Sequence, residues 1–355
     1  MTPRRAPRHG RSQPTHPSLP APGREPERGV QRALLVWYRR SHRDLPWRHT
    51  RDPYAILVSE VMLQQTQAGR VAPKFLEFLQ RFPDFDALAA APPADVIRAW
   101  SPLGYNRRAV RLQRIAQRVV ANGGHLSNTV EGLRSLDGIG DYTAAAVACF
   151  AFGRAAAVVD TNVRRVLTRA FVLSPPSLSG KGLGVRLVAS LAQDLIPPND
   201  PYDWNQAIME LGATVCLARA PRCPVCPIRT WCASADTLAS ATSTHSLSSS
   251  AGVPGEALSP RRGPLAAPGR VRRIAETRAP YRVESPFKGS GRYYRGRIVD
   301  RLRALSDGNA LSLVALGTAI KPGFGDADLP WLHGLVKGLE RDGLARLRDD
   351  RVSLP

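Results

Sequence analysis

Lysine is scarce in this chain. Of 50 basic residues only five are lysine (Lys74, Lys181, Lys288, Lys321 and Lys337), and the rest are arginine. Arginine excess can follow codon usage, so the charge itself is the informative quantity. No apolar run reaches the length of a membrane span, and the N-terminus carries no apolar signal core, which predicts a cytoplasmic protein. Cysteines number only five, too few and too clustered for a disulfide framework in a reducing compartment. Before residue 240 no clear period-2 alternation occurs, which argues against a sheet there. Acidic residues are few beside the basic ones, 29 against 50, and the formal charge is +21. A chain this basic most often meets a polyanion, with nucleic acid the default.

What is present fills 355 residues, enough for two domains or three with linkers, and 43% hydrophobic residues suffice for a core. Residues 1–27 are rich in Pro, Arg, Gly and Ser and read as a disordered basic tail. Residues 28–235 read as one all-α domain, 236–289 as a flexible Ser/Ala/Pro/Gly linker, and 290–355 as a small module. Helical patterns at Arg292–Leu305 and Trp331–Asp342, then a possible hairpin at Leu344–Leu354, give that module a winged-helix-like outline.

Within the main domain, Asp52-Pro53 is a helix start, Asp as N-cap and Pro in the first turn. The helix it opens is apolar at Ile56, Leu57, Val61 and Leu63 and is interrupted by one carboxylate, Glu60. On the solvent side Glu60 would be inert; buried, it would be poised for acid catalysis. Further helices are expected at Val71–Gln80, Pro93–Trp100, Asn106–Asn122 and Asp203–Cys216. Gly138-Ile139-Gly140 is a tight turn that feeds a helix beginning at Asp141-Tyr142-Thr143. Outward N–H groups at a helix N-terminus suit a phosphate, although the same pattern also makes an ordinary helical corner. Asp160 follows, beside Thr161 and Asn162.

Cys216, Cys223, Cys226 and Cys232 lie within 216–232 at spacings that can wrap one tetrahedral centre, zinc or [4Fe–4S]. Cys149, alone in an alanine-rich helix, reads as core.

Taken together these residues resemble the endonuclease III superfamily of DNA base-excision glycosylases, most closely the adenine DNA glycosylases. The resemblance runs from Val30 to Ala233. It rests on Leu45-Pro46-Trp47, Ser59–Gln67 (SEVMLQQTQ), Leu103-Gly104-Tyr105, the hairpin at 136–144, Val159–Val163, Asn205-Gln206-Ala207 and the cysteine loop. It implies a two-lobed helix-hairpin-helix fold with double-stranded DNA in its cleft, a [4Fe–4S] cluster rather than zinc, and a monomer. Glu60 would protonate the departing adenine, and Asp160, oriented by Asn162, would stabilise the sugar cation, with Tyr142 hydrogen-bonding nearby. Gln64 and Tyr105 would wedge into the base stack, Gln65 beside them would bind the DNA, and Gly138, Ile139, Gly140 and Thr143 would hold flanking phosphates.

The implied substrate is adenine mispaired with 8-oxoguanine or guanine. Bifunctional relatives carry lysine where this chain has Tyr142, and no lysine occurs between Lys74 and Lys181, so a monofunctional enzyme is expected. The competing readings are an endonuclease III-type pyrimidine glycosylase with strand-cutting activity and a non-catalytic iron–sulfur DNA-binding protein. Three departures stand out: Asp137 and Asp141 put acid in the hairpin, Asn106 replaces a second tyrosine, and residues 240–355 lack the NUDIX-like pattern that reads 8-oxoguanine.

Overall fold

A computed structural model describes residues 25–171, 183–238 and 287–355. Most of the expected tail and of the linker lies outside those residues. The chain divides into two compact units, Met1–Arg43 with Gly153–Ser243 and Asp44–Phe152 with Thr244–Pro355. Among the described residues no helix is long and apolar enough to cross a membrane.

The first unit contains α1 (Glu25–Ser41), α9 (Thr161–Phe171), α10 (Leu183–Asp194), α11 (Pro201–Thr214) and the cysteine loop. Its core is built from Val30, Leu34, Val166, Leu167, Trp204 and Leu211. Arg43 clasps the buried Glu210 with two nitrogens, at 2.7 and 2.9 Å. That bidentate bond raises the Arg43 pKa and compensates the burial of the carboxylate.

The second unit carries α2 (Pro53–Leu63), α3 (Ala68–Arg81), α4 (Phe85–Ala90), α5 (Pro93–Ala99), α6 (Arg107–Ala121), α7 (Val130–Arg134) and α8 (Asp141–Phe152). Helix α2 starts as the sequence predicts: the Asp52 carboxylate accepts the N–H groups of Tyr54 (3.2 Å) and Ala55 (3.0 Å). Every residue from Tyr54 to Met62 is buried, so the helix is enclosed on all sides. It packs on α8, whose small residues Ala144, Ala145, Ala146 and Ala148 admit close approach.

The same unit ends in α12 (Gly291–Arg303), β1 (Leu311–Ser312), α13 (Leu313–Ile320), α14 (Leu329–Arg341), β2 (Arg346–Arg348) and β3 (Arg351–Ser353). The strands are antiparallel in the order β1-β3-β2, with Val352 opposite both Leu311 and Leu347. Asp349 and Asp350 form the two-residue turn, both at positive φ, as a hairpin turn of this length requires. This arrangement is the winged-helix-like module of the sequence analysis, with β1 and α13 as elements the pattern did not reveal. Ile298, Leu302, Leu316, Leu332, Val336 and Val352 form its core, which also takes in Ile97 of α5 and Val110 of α6. The module is therefore packed against the helical lobe through a shared core.

Candidate active site

Glu60 is only 3% exposed, in a helix that is apolar apart from it and the neighbouring buried Ser59. Periodicity alone could not place it, because α2 has no polar face. At the C-terminal end of α2 the carbonyls of Val61 and Met62 lose their helical partners and need donors. Arg108 supplies them: Nη1 donates to Val61 O (3.0 Å) and Met62 O (2.8 Å), and also to Gln64 O. Its Nη2 donates to Thr66 Oγ1 (3.0 Å) and Gly104 O (3.2 Å). Burial lowers the Arg108 pKa to about 10. One guanidinium thus ties the loop after α2 to the loop before α6. Arg108 was not among the sequence candidates, yet it shares the 108, 112, 115, 119 stripe of α6 with Leu112, Ile115 and Val119. An arginine on an apolar stripe is a readable signal.

Gln65 and Tyr105 sit on those two loops. Both have positive φ, 55° and 47°, which non-glycine residues adopt only when their surroundings impose it. Tyr105 is 62% exposed, and the Arg108 guanidinium lies 5.5 Å from its ring centroid. Gln64 reaches Thr143 Oγ1 at 3.4 Å, linking α2 to the helix that follows the hairpin. In the hairpin, Gly138 has φ 93°, Ile139 is buried with its N–H on Leu136 O (3.0 Å), and Gly138 and Gly140 are exposed. Asp141 does not stand as bare acid at this turn, since Arg134 holds it at 2.8 Å. Tyr142 is half-buried in the first turn of α8.

In the first unit, Asp160 precedes α9 and caps it. Oδ1 accepts the Val163 N–H at 2.6 Å and Oδ2 accepts Asn162 Nδ2 at 3.0 Å. Two donors and the positive helix end therefore hold a half-buried carboxylate in one orientation. Asn162 is fixed in turn by Arg165, whose Nη2 donates to Asn162 Oδ1 (2.8 Å) and Gly212 O (2.7 Å). Arg165 Nε donates to Cys216 O at 2.8 Å, so a continuous hydrogen-bond chain runs from Asp160 to the cysteine loop. Gly212 is where α11 comes closest to this turn: a Cβ there would lie 2.6 Å from Asn162 Cβ. Arg165 and Gly212, which fix this turn, carry no motif of their own.

Cys216, Cys223, Cys226 and Cys232 line one small cavity of roughly 20 Å³. Burial pushes the Cys226 thiol up to about 11 and raises Cys223 and Cys232, and the neighbouring thiols reinforce each shift. Arg169 donates to Cys216 Sγ at 3.5 Å and to Leu217 O at 2.7 Å. Among the described residues no three His, Cys, Asp or Glu side chains close on a point as a single bound ion requires. The donor set is four sulfurs lining one cavity, which suits a four-thiolate centre in its chemistry.

Comparison with known proteins bears on this geometry. Residues 58–179 match the model of the HhH-GPD superfamily base excision DNA repair protein. The chain is 41% identical over 273 residues to the adenine DNA glycosylase of Mycobacterium tuberculosis, covering 76% of this chain and 77% of that one. It is 44% identical over 210 residues to the human adenine DNA glycosylase, covering 56% of this chain and 38% of the human one. Among solved structures a thermostable thymine-DNA glycosylase superposes with a TM-score of 0.56 at 32% identity, over 60% of this chain and 98% of that one. The chain belongs to the HhH-GPD superfamily of base excision DNA repair proteins, among its adenine DNA glycosylases.

Proposed function

We propose that this chain is a monofunctional adenine DNA glycosylase, which hydrolyses the N-glycosidic bond of adenine mispaired with 8-oxoguanine or guanine and leaves an abasic site. The observation that carries the reading is Glu60, a carboxylate buried in a largely apolar helix within the stretch that the HhH-GPD family model matches. Support also comes from Asp160, whose carboxylate is oriented by Asn162 and the Val163 amide.

The target base is unreachable inside the duplex, so it is extruded, and Gln64 and Tyr105 fill the gap, with Gln65 binding the DNA beside them. Gly138, Ile139, Gly140 and Thr143 hold the distorted strand at its phosphates, at the start of α8. Glu60 donates its proton to a ring nitrogen of adenine as the bond from the sugar breaks, the electron pair leaving with the base. Asp160 places negative charge beside the oxocarbenium-like sugar. Water then adds its hydroxyl to the sugar carbon, and its proton returns to Glu60. Tyr142 stands where a Schiff-base enzyme needs an amine and, having none, forms no Schiff base, so the strand is not cut.

Cys216, Cys223, Cys226 and Cys232 would hold a [4Fe–4S] cluster, a metal centre that neutralises the thiolates and fixes 216–232 as one loop. Arg169 and Arg165 brace that loop through Leu217 O and Cys216 O. The protein would act as a monomer on double-stranded DNA within the cell.

The test is Glu60→Gln. Adenine release should stop while binding to an A:8-oxoguanine duplex persists, and a variant that still releases adenine at the normal rate refutes the assignment.

A further inference from the structure

The loop between α5 and α6 carries Tyr105, and the C-terminal module grips that loop at both ends. On the α5 side, Arg98 bonds Asp307 and donates to Leu305 O at 3.2 Å, while Ile97 enters the module's core. On the α6 side, Arg107 pairs with Asp342 at 3.2 Å and Val110 enters the same core.

Between these grips lies Arg303 of α12, a nearly buried arginine. Its Nε donates to Ile97 O at 3.1 Å, its Nη1 pairs with Asp300 at 3.1 Å, and its Nη2 donates to Asn106 Oδ1 at 2.6 Å. Asn106 is the residue directly after Tyr105 and stands at the N-cap of α6. An asparagine there ordinarily bonds the first amides of its own helix, yet this one makes no such bond. Its oxygen faces the module instead.

Tyr105 needs that help. Its φ of 47° is a strained conformation for a non-glycine residue, and a ring 62% exposed has little packing to enforce it. Trp100 Nε1 and Arg108 Nη2 fix the Gly104 carbonyl on one side of it. Asn106, held by Arg303, fixes the backbone on the other. A ring held ready for insertion avoids the ordering cost that a loose loop meets on binding.

We propose that the C-terminal module is a clamp on the wedge loop, and that Arg303 is a positioning residue which sets discrimination of the base opposite the target adenine through its bond to Asn106. The inference rests on the reading of Tyr105 as the wedge.

The experiment uses the full chain and five variants: Tyr105→Ala, Asn106→Ala, Asn106→Asp, Arg303→Ala and the Asn106→Ala/Arg303→Ala double. Two quantities are read. One is the ratio of single-turnover adenine release from A:8-oxoguanine over A:C duplexes. The other is the fluorescence of 2-aminopurine beside the mispair, which reports unstacking.

Asn106→Ala and Arg303→Ala should each lower the ratio about tenfold and the fluorescence rise with it, the worth of one charge-assisted hydrogen bond. The double variant should fall no further, and Asn106→Asp, which keeps the acceptor, should retain the ratio. Arg303→Ala could also loosen the module; Asn106→Ala leaves Arg303 its bonds to Ile97 and Asp300, so a loss there with unchanged melting is specific. If Tyr105→Ala collapses the ratio while Asn106→Ala keeps it, the clamp is wrong and the wedge reading stands. If Tyr105→Ala itself keeps the ratio, the wedge reading fails and takes the clamp with it. Additive losses in the double variant overturn the bond as the link.

Discussion

Replacing Gly212 by alanine should silence the enzyme without unfolding it. The added Cβ would sit 2.6 Å from Asn162 Cβ, 3.2 Å from its Cα and 3.3 Å from its carbonyl carbon. Carbon atoms rest at about 3.5–4.0 Å, so α11 and the turn at Asn162 must separate by about 1 Å. That movement strains three bonds together: Arg165 to the Gly212 carbonyl (2.7 Å), Arg165 to Asn162 (2.8 Å) and Asn162 to Asp160 (3.0 Å). Overpacking of this kind costs about 1–3 kcal/mol of stability. A 1 Å misplacement of a charge-stabilising group costs about 10²-fold in rate. Single-turnover adenine release from an A:8-oxoguanine duplex should therefore fall about 100-fold. The dissociation constant for the same duplex should stay nearly constant. Gly69→Ala is the control, since its Cβ meets nothing within 4 Å. A Gly212→Ala protein with the parent rate would show that Asp160 does not depend on Asn162, and the argument for its orientation would fall.

Other outcomes follow from the same contacts. Arg108→Ala leaves the Val61 and Met62 carbonyls buried without a donor, a loss of about 3 kcal/mol or more, and should lower the melting temperature by about 10 °C in calorimetry. Parent-like melting would mean other groups satisfy the end of α2. Cys226→Ser should cost the protein its visible thiolate-to-iron absorption and its bound iron, as measured by metal analysis; a colourless parent containing zinc contradicts the cluster assignment. Borohydride added during turnover should trap no protein–DNA adduct, because Tyr142 offers no amine, and an abundant adduct would place a lyase here.

Much of this arrangement can be read locally. Asp52-Pro53 announces α2 by capping chemistry, and four cysteines within 216–232 announce a shared centre by spacing. Glu60 was recognisable as a residue to watch, but its burial was not, because a helix enclosed on all sides leaves no polar face to contrast with. Contacts distant in sequence left no trace: Arg303 and Asn106 lie 197 positions apart, and nothing in either neighbourhood names the other. Leu313–Ile320 escaped for a different reason. It is a short, almost wholly apolar run in which helix and strand periods look alike, and only the Ser312 cap, accepting the Ala315 N–H at 3.2 Å, sets it as a helix. Gly212 shows the same limit, because a glycine inside a helix states that space is short without saying what fills it.

The central claim is that an acid in α2 and a capping carboxylate before α9 serve one reaction, release of adenine with the strand left whole. Duplexes holding A:8-oxoguanine, A:G, G:T and thymine glycol, incubated with the protein and resolved before and after alkali, test it most directly. Base loss confined to the two adenine mispairs, with strand breaks only after alkali, is the predicted result. Release of thymine or thymine glycol, or cleavage without alkali, would contradict it.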